Sequence, residues 1–145
     1  MGSVDIAALL ERETAAWNAH DPDGVAACYA EDAELHDVGQ PEPLRGREAI
    51  RESVAGYLAA FSDFHVDTGE PIISGSKVAQ EWTVTGTHDG DLMGLPPTGK
   101  HATTYGCGVV EVGEDGLVRR AANYWNAAAL LVQLGLMPAA AGAAS

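Results

Sequence analysis

Apolar residues recur at helical spacing from the start of the chain: Ile6, Leu9, Leu10 and Trp17 share one stripe, and Glu13 falls on it too. Ser3 or Asp5 stands where a helix cap belongs. Asn18-Ala19-His20-Asp21-Pro22 ends the pattern, because proline drives the residue before it out of helical geometry. Asp21 can then cap a short second helix over residues 22–29, with Pro22 in its first position. Residues 33–38 read as a strand and 39–43 as a loop. Residues 47–60 form a third helix, with Ile50, Val54, Tyr57, Leu58 and Phe61 on its buried stripe.

Beyond that point the period changes to two. Residues 64–74 turn at Ser74-Gly75-Ser76 into a strand over 78–88. A Gly/Pro-rich hairpin tip over 86–99 leads back through 100–112. Gly113-Glu114-Asp115-Gly116 turns the chain into a last strand over 117–126. An apolar segment over 127–134 ends at Gly135, a natural helix C-cap. Helices first and hairpin-linked antiparallel strands second predict an α+β fold, with helices covering one face of the sheet.

The 145 residues suit one domain, expected over 1–138, followed by an Ala-rich tail over 139–145 that frays. With 46% hydrophobic and 20% charged residues, the composition is globular. The formal charge of −13 argues against nucleic acid or an anionic membrane as partner. No apolar run approaches the ~20 residues of a membrane span, and Met1 to Asp5 carries no secretory signal. Cys28 and Cys107 make neither a metal-like pair nor a disulfide framework. A reducing, cytoplasmic setting is the expectation.

Three stretches carry a resemblance to a known family. Trp17-Asn18-Ala19-His20-Asp21, followed by Tyr29-Ala30-Glu31-Asp32-Ala33, looks like the opening of many nuclear transport factor 2-like cone-fold enzymes. Glu81-Trp82-Thr83-Val84-Thr85-Gly86-Thr87-His88, then Gly94-Leu95-Pro96-Pro97-Thr98-Gly99-Lys100, resembles the SnoaL-like polyketide cyclase branch. Tyr124-Trp125-Asn126, running on to Leu131-Val132-Gln133-Leu134-Gly135, is similar to the end of that branch. The resemblance implies a cone: a curved antiparallel sheet and three N-terminal helices around a pocket. It also implies a cofactor-independent cyclase acting by acid–base chemistry on an apolar carbonyl compound, to close or isomerise a ring. A cone-fold sheet has a second face to cover, which predicts a homodimer through the Thr-rich face of the 78–88 strand.

Two departures from the family pattern bear on the chemistry. Asn126 stands where this branch usually has the Asp that acts as general base, and an amide cannot take up a proton near neutral pH. Residues 33–43 are similar to the ketosteroid isomerases, and Asp37 falls on their catalytic Asp. Their oxyanion-holding Tyr and Asp, however, fall near Glu13 and Gly108, so steroid isomerisation by that machinery is not implied.

Asp37, near the end of the first strand, is therefore a candidate base if apolar walls surround it, or else a solvated rim carboxylate. His36, its neighbour, points to the opposite face of that strand. His88 shares a face with Trp82, Val84 and Gly86, as a polar group near the pocket mouth or as a cap bonding the hairpin backbone. His101 returns beside it. Asn126 and Tyr124 are expected on one face with Ala122 and Val118, Asn126 meeting a substrate carbonyl or capping the final helix. The catalytic set is thus Asp37, His88 and Asn126. The substrate-binding set is Trp17, Tyr57, Trp82, His101, Tyr105 and Tyr124. No metal or other cofactor is expected, since His20, His36, His65, His88 and His101 lack ligand spacing. Rival readings are an epoxide hydrolase or epoxide-opening cyclase of the same fold, and a small-molecule-binding protein that has lost its base.

Overall fold

The computed structural model describes residues 5–139, so Ser3 and all of the Ala-rich tail but Ala139 lie outside it. Helix α1 (Ile6–Asn18) starts at Asp5, whose carboxylate accepts from the Ala8 N–H at 3.0 Å. Helix α2 (Pro22–Ala26) is shorter than its pattern suggested. Asp21 caps it as expected, but Tyr29 is claimed by strand β1 (Tyr29–Asp37), where it pairs with Val118. Strand β2 (Leu44–Arg45) adds a two-residue edge to β1, too brief to show as a pattern. Helix α3 (Arg47–Ala60) follows, with Ile50, Val54 and Leu58 buried.

The single strand expected over 64–74 is two: β3 (His65–Thr68) and β4 (Ile72–Ser74). Pro71, which has no N–H for a ladder, lies in the break, and both pieces pair with β5 (Lys77–Thr87). Strands β6 (His101–Val112) and β7 (Val118–Trp125) complete the sheet, and α4 (Ala127–Gln133) is the last element among the described residues. The order is β2-β1-β7-β6-β5-β3, with β4 also on β5. All pairs are antiparallel except β1 with β7. This is the α+β architecture that the sequence predicts.

The opening words of the chain have local structural work. The Trp17 ring stacks on Phe64 with centroids 5.0 Å apart. The Asn18 side chain both donates to Val66 O and accepts from Val66 N, at 2.9 and 2.8 Å, clamping α1 to β3. His20 takes a left-handed backbone, and its Nε2 donates to Phe64 O at 2.9 Å. These contacts hold α1 across the concave face of the sheet. On that face Trp82 of β5 lies over Gly106 of β6, where an added Cβ would sit 2.3 Å from the indole. A large side chain thus fills the space that a glycine leaves.

Candidate functional site

The helices and the concave face of the sheet enclose a cavity of about 180 Å³. A dry cavity on the order of 150 Å³ takes a benzene ring, so this one has room for at least one carbocycle. Each wall follows from the period of its element. Leu10, Glu13, Thr14 and Trp17 are one face of α1; Ser53, Val54, Tyr57 and Phe61 belong to the stripe of α3. Gln80, Trp82, Val84 and Gly86 alternate inward along β5; the sequence predicts one shared face for the last three of these. Most of the lining is aliphatic or aromatic. Among the polar exceptions are two carboxyl groups, Asp37 and Glu13.

Asp37 ends β1 and is held by three donors. Its Oδ1 accepts from the Trp125 indole N–H at 2.7 Å and from the Gly39 N–H at 2.8 Å. Its Oδ2 accepts from the Tyr57 hydroxyl at 3.1 Å. Burial pushes the Tyr57 phenol well up, and the nearby Asp37 charge adds to this, so Tyr57 remains a donor. The Tyr57 oxygen in turn accepts from Gln40 at 3.2 Å. Oδ2 keeps a lone pair for a proton from a bound molecule. A Cβ on Gly39 would sit 2.6 Å from the Trp125 ring, so glycine is what lets the indole lie against this turn.

Glu13 enters from the other wall, on α1. The phenol of Tyr29, the first residue of β1, lies near enough to favour its ionised form. Burial raises the Glu13 carboxyl above the ordinary range, while Tyr29 works in the opposite sense. The Tyr29 phenol is itself pushed far up, first by burial and then by the Glu13 charge. The sequence did carry a signal for Glu13: a carboxylate inside an otherwise apolar helical stripe. Asn123 also lines the cavity, paired in register with Asp37 across β1 and β7. Trp125 and Asn123 were missed because the alternation of β7 runs in the other phase.

The structure separates the residues that the sequence grouped. Asp37, Trp17, Tyr57 and Trp82 line the cavity. Asn126 does not; it is the N-cap of α4, its Oδ1 accepting from Ala129 N–H at 3.0 Å. Tyr124 and Tyr105 stand on the outer face of the sheet, 56% and 70% exposed. On β7 it is Ala121, Asn123 and Trp125 that turn inward, the reverse of the expected phase. His101 is also exposed, its Nδ1 within 3.2 Å of the Thr87 hydroxyl.

His88 is fully buried but stands apart from the cavity lining. Its Nδ1 accepts from Thr98 N–H at 3.3 Å and meets the Thr98 hydroxyl at 3.1 Å, while its ring packs against Phe61. It closes the base of the 88–99 hairpin, the second of the two roles foreseen for it. His36 pairs with Glu34 on the other side of β1 from Asp37, at 2.5 Å. Among the described residues, no group of three or more His, Cys, Asp or Glu side chains gathers as metal ligands would.

The profile of the SnoaL-like polyketide cyclase family matches residues 7–134. The chain belongs to that family. It is 35% identical over 112 residues to the epoxide hydrolase LasB of Streptomyces lasalocidi, a match covering 74% of this chain and 36% of LasB. The chain therefore spans about a third of the length of that relative. Among solved structures it is similar to AclR of Streptomyces galilaeus, with a TM-score of 0.81 and 27% identity over 96% of this chain and 86% of AclR. A protein of Catenulispora acidiphila with a ketosteroid isomerase-like fold superposes with a TM-score of 0.76 at 20% identity, covering 94% of this chain and 96% of the other. That likeness shows the fold, which is the cone expected from the sequence. No helix among the described residues is long and apolar enough to cross a membrane.

Proposed function

We propose that this SnoaL-like protein is a cofactor-independent enzyme in which Asp37 removes a proton from an apolar, oxygen-bearing molecule held in the cone, closing or isomerising a ring. The observation that carries this reading is the setting of Asp37: a carboxylate fixed by Trp125, Tyr57 and Gly39 on the wall of a largely apolar cavity. Oriented by three donors and facing a largely apolar cavity, it suits general-base work. In the cyclase form, Asp37 takes a proton from the carbon next to a carbonyl. The C–H electrons pass to the carbonyl oxygen as an enolate, and the enolate carbon then attacks a second carbonyl within the same molecule. The new alkoxide takes up a proton, so the ring closes without change of redox state.

A second reading is favoured by the likeness to LasB. Here Asp37 takes the proton of a water or of a substrate hydroxyl, whose oxygen attacks an epoxide carbon as the C–O bond breaks. The same base serves both reactions, and the acidity of the group facing Oδ2 decides between them. The test uses 1-tetralone in D2O, reading deuterium exchange at C2, and styrene oxide, reading diol formation. Exchange above background supports the first form and diol formation the second. In either case Asp37→Asn should lower the rate ~10²–10⁴-fold. Tight binding of both compounds with no turnover would favour a binding protein instead.

The family acts on small molecules, and we further propose that this chain works as a homodimer. The outer face of the sheet exposes Tyr105, Val109 and Tyr124 on adjacent strands, beside Thr83 and Ala79 of β5. Contiguous aromatic and aliphatic exposure on the outer face suits an isologous contact. Tyr105→Glu should convert a dimer to a monomer by sedimentation, and a monomeric wild type at micromolar concentration would overturn the assignment.

A further inference from the structure

Two carboxyl groups line one cavity, and their partners differ. Asp37, on the sheet wall, is surrounded by donors: an indole N–H, a backbone N–H and a phenol. Glu13, on the helical wall, shares its face of α1 with Leu10, Thr14 and Trp17 and lies near the Tyr29 phenol, which also lines the cavity. Among the described residues, no arginine or lysine lines the cavity to compensate a charge there. A substrate that loses a proton to Asp37 develops negative charge on an oxygen, and that charge needs a donor. The donors around Asp37 are already engaged with its carboxylate. The acid must come from elsewhere in the cavity.

We infer that Glu13 is a second catalytic residue, the acid that donates a proton to the carbonyl or epoxide oxygen of the substrate while Asp37 removes a proton elsewhere on the same reacting assembly. The inference rests on the acid–base reading of Asp37 and adds its missing half. The protons balance. For a carbonyl substrate, the C–H proton passes to Asp37 and the Glu13 proton to the enolate oxygen, giving the enol. For an epoxide, the O–H proton of the nucleophile passes to Asp37, the C–O electrons go to the epoxide oxygen, and that oxygen takes the Glu13 proton.

In both cases Glu13 ends as carboxylate and Asp37 as acid, and proton exchange with solvent restores the pair. Tyr29 acts through Glu13 as a positioning residue, its O–H donating to the carboxylate formed when the proton leaves. Burial keeps Glu13 protonated to higher pH than an ordinary carboxyl, which is the state the role demands. Two carboxyls with opposite duties in one apolar site are a recurring arrangement in acid–base enzymes.

The test has one arm that does not depend on turnover. With 13C-labelled Glu, the resonance lost in Glu13→Gln identifies Glu13, and its titration is followed with and without 1-tetralone. The expected result is a midpoint above the ordinary carboxyl range and a shift of the resonance when the ketone binds. The kinetic arm compares Glu13→Gln, Glu13→Asp, Tyr29→Phe and Asp37→Asn on 1-tetralone exchange and styrene oxide opening. Glu13→Gln should fall ~10²-fold or more, with partial rescue in Glu13→Asp. Tyr29→Phe should move the basic limb of the pH profile upward, because it removes the hydroxyl that favours the Glu13 carboxylate.

Inactive Asp37→Asn beside fully active Glu13→Gln would overturn the acid role and leave the base role standing. Unchanged activity in Asp37→Asn would sink the reading of the site itself. If neither probe turns over, the titration decides: a Glu13 carboxyl that ionises in the ordinary range, or ignores the ketone, overturns the inference.

Discussion

The Trp125 indole donates to the Asp37 carboxylate across 2.7 Å, joining residues 88 positions apart in the chain. The contact exists because β1 and β7 run parallel, with Asp37 paired to Asn123. Trp125 therefore reaches the end of β1 from two residues further along β7. A hydrogen bond to a charged group contributes on the order of 1.5–3 kcal/mol. Trp125→Phe keeps most of the ring and removes the donor. It should lower the Asp37-dependent rate about tenfold while leaving the fold intact by circular dichroism; an unaltered rate would mean that Tyr57 and Gly39 orient the carboxylate unaided.

Gly39→Ala tests the same arrangement from the backbone. The new methyl would meet the Trp125 ring at 2.6 Å, so the indole or the turn must shift. Overpacking of this kind typically costs about 1–3 kcal/mol. The expected outcome is a lower unfolding midpoint together with a loss of rate, whereas a Gly exchange far from Asp37 should cost stability alone.

Asn126 should behave as a helix cap and nothing more. Its Oδ1 holds the Ala129 N–H at the start of α4. Asn126→Ala is expected to cost about 1 kcal/mol in urea unfolding without changing catalysis. Asn126→Asp should keep the cap and add no base to the cavity. A rise in rate in that variant would return Asn126 to the catalytic set.

Glu13 predicts a pH dependence of stability with a definite sign. Below about pH 4, both folded and unfolded chains hold the proton. As pH rises, the unfolded chain ionises first, while burial keeps the folded carboxyl protonated to higher pH. Stability is therefore lost between the ordinary carboxyl value and the raised one. Glu13→Gln removes this loss, so the variant should gain on wild type as pH rises above the ordinary carboxyl range, by denaturant titration. Equal pH slopes for the two proteins would contradict a raised Glu13 carboxyl.

The two thiols should differ in reactivity. Burial, and after it the Glu13 carboxylate, push the Cys28 thiol up to about 11. At pH 8 only about one thiol in a thousand would be ionised at such a site. Cys28 should resist a disulfide reagent until the protein unfolds. Cys107 is partly exposed on the outer sheet face, beside Tyr124 in register, and should react in the monomer and be protected by dimerisation.

Much of the scaffold is legible from local pattern. The stripe of α1, the Pro22 break, the stripe of α3 and the alternation of Trp82, Val84 and Gly86 depend only on residues near one another in sequence. Glu13 was visible in the same way, as a carboxylate on an apolar stripe. Its chemical meaning was not, because that depends on Tyr29 and on the absence of a compensating cation in the cavity.

The sequence by itself determined the order of elements, the α+β class and the inward face of β5, because strong alternation or a strict helical period has only one way to bury its apolar side. It could not determine the faces of β7 and β6. Ala121-Ala122-Asn123-Tyr124-Trp125-Asn126 offers an aromatic and an amide to each face, and on β6 the inward positions hold glycines and small residues while Tyr105 points out. There the phase is set by partners: the parallel register with β1, which carries Trp125 to Asp37, and the room that Gly106 leaves for Trp82. A one-residue change of phase exchanges the two faces of a strand, so the tertiary structure decided that Asn123 and Trp125, rather than Tyr124 and Asn126, meet whatever the cavity holds.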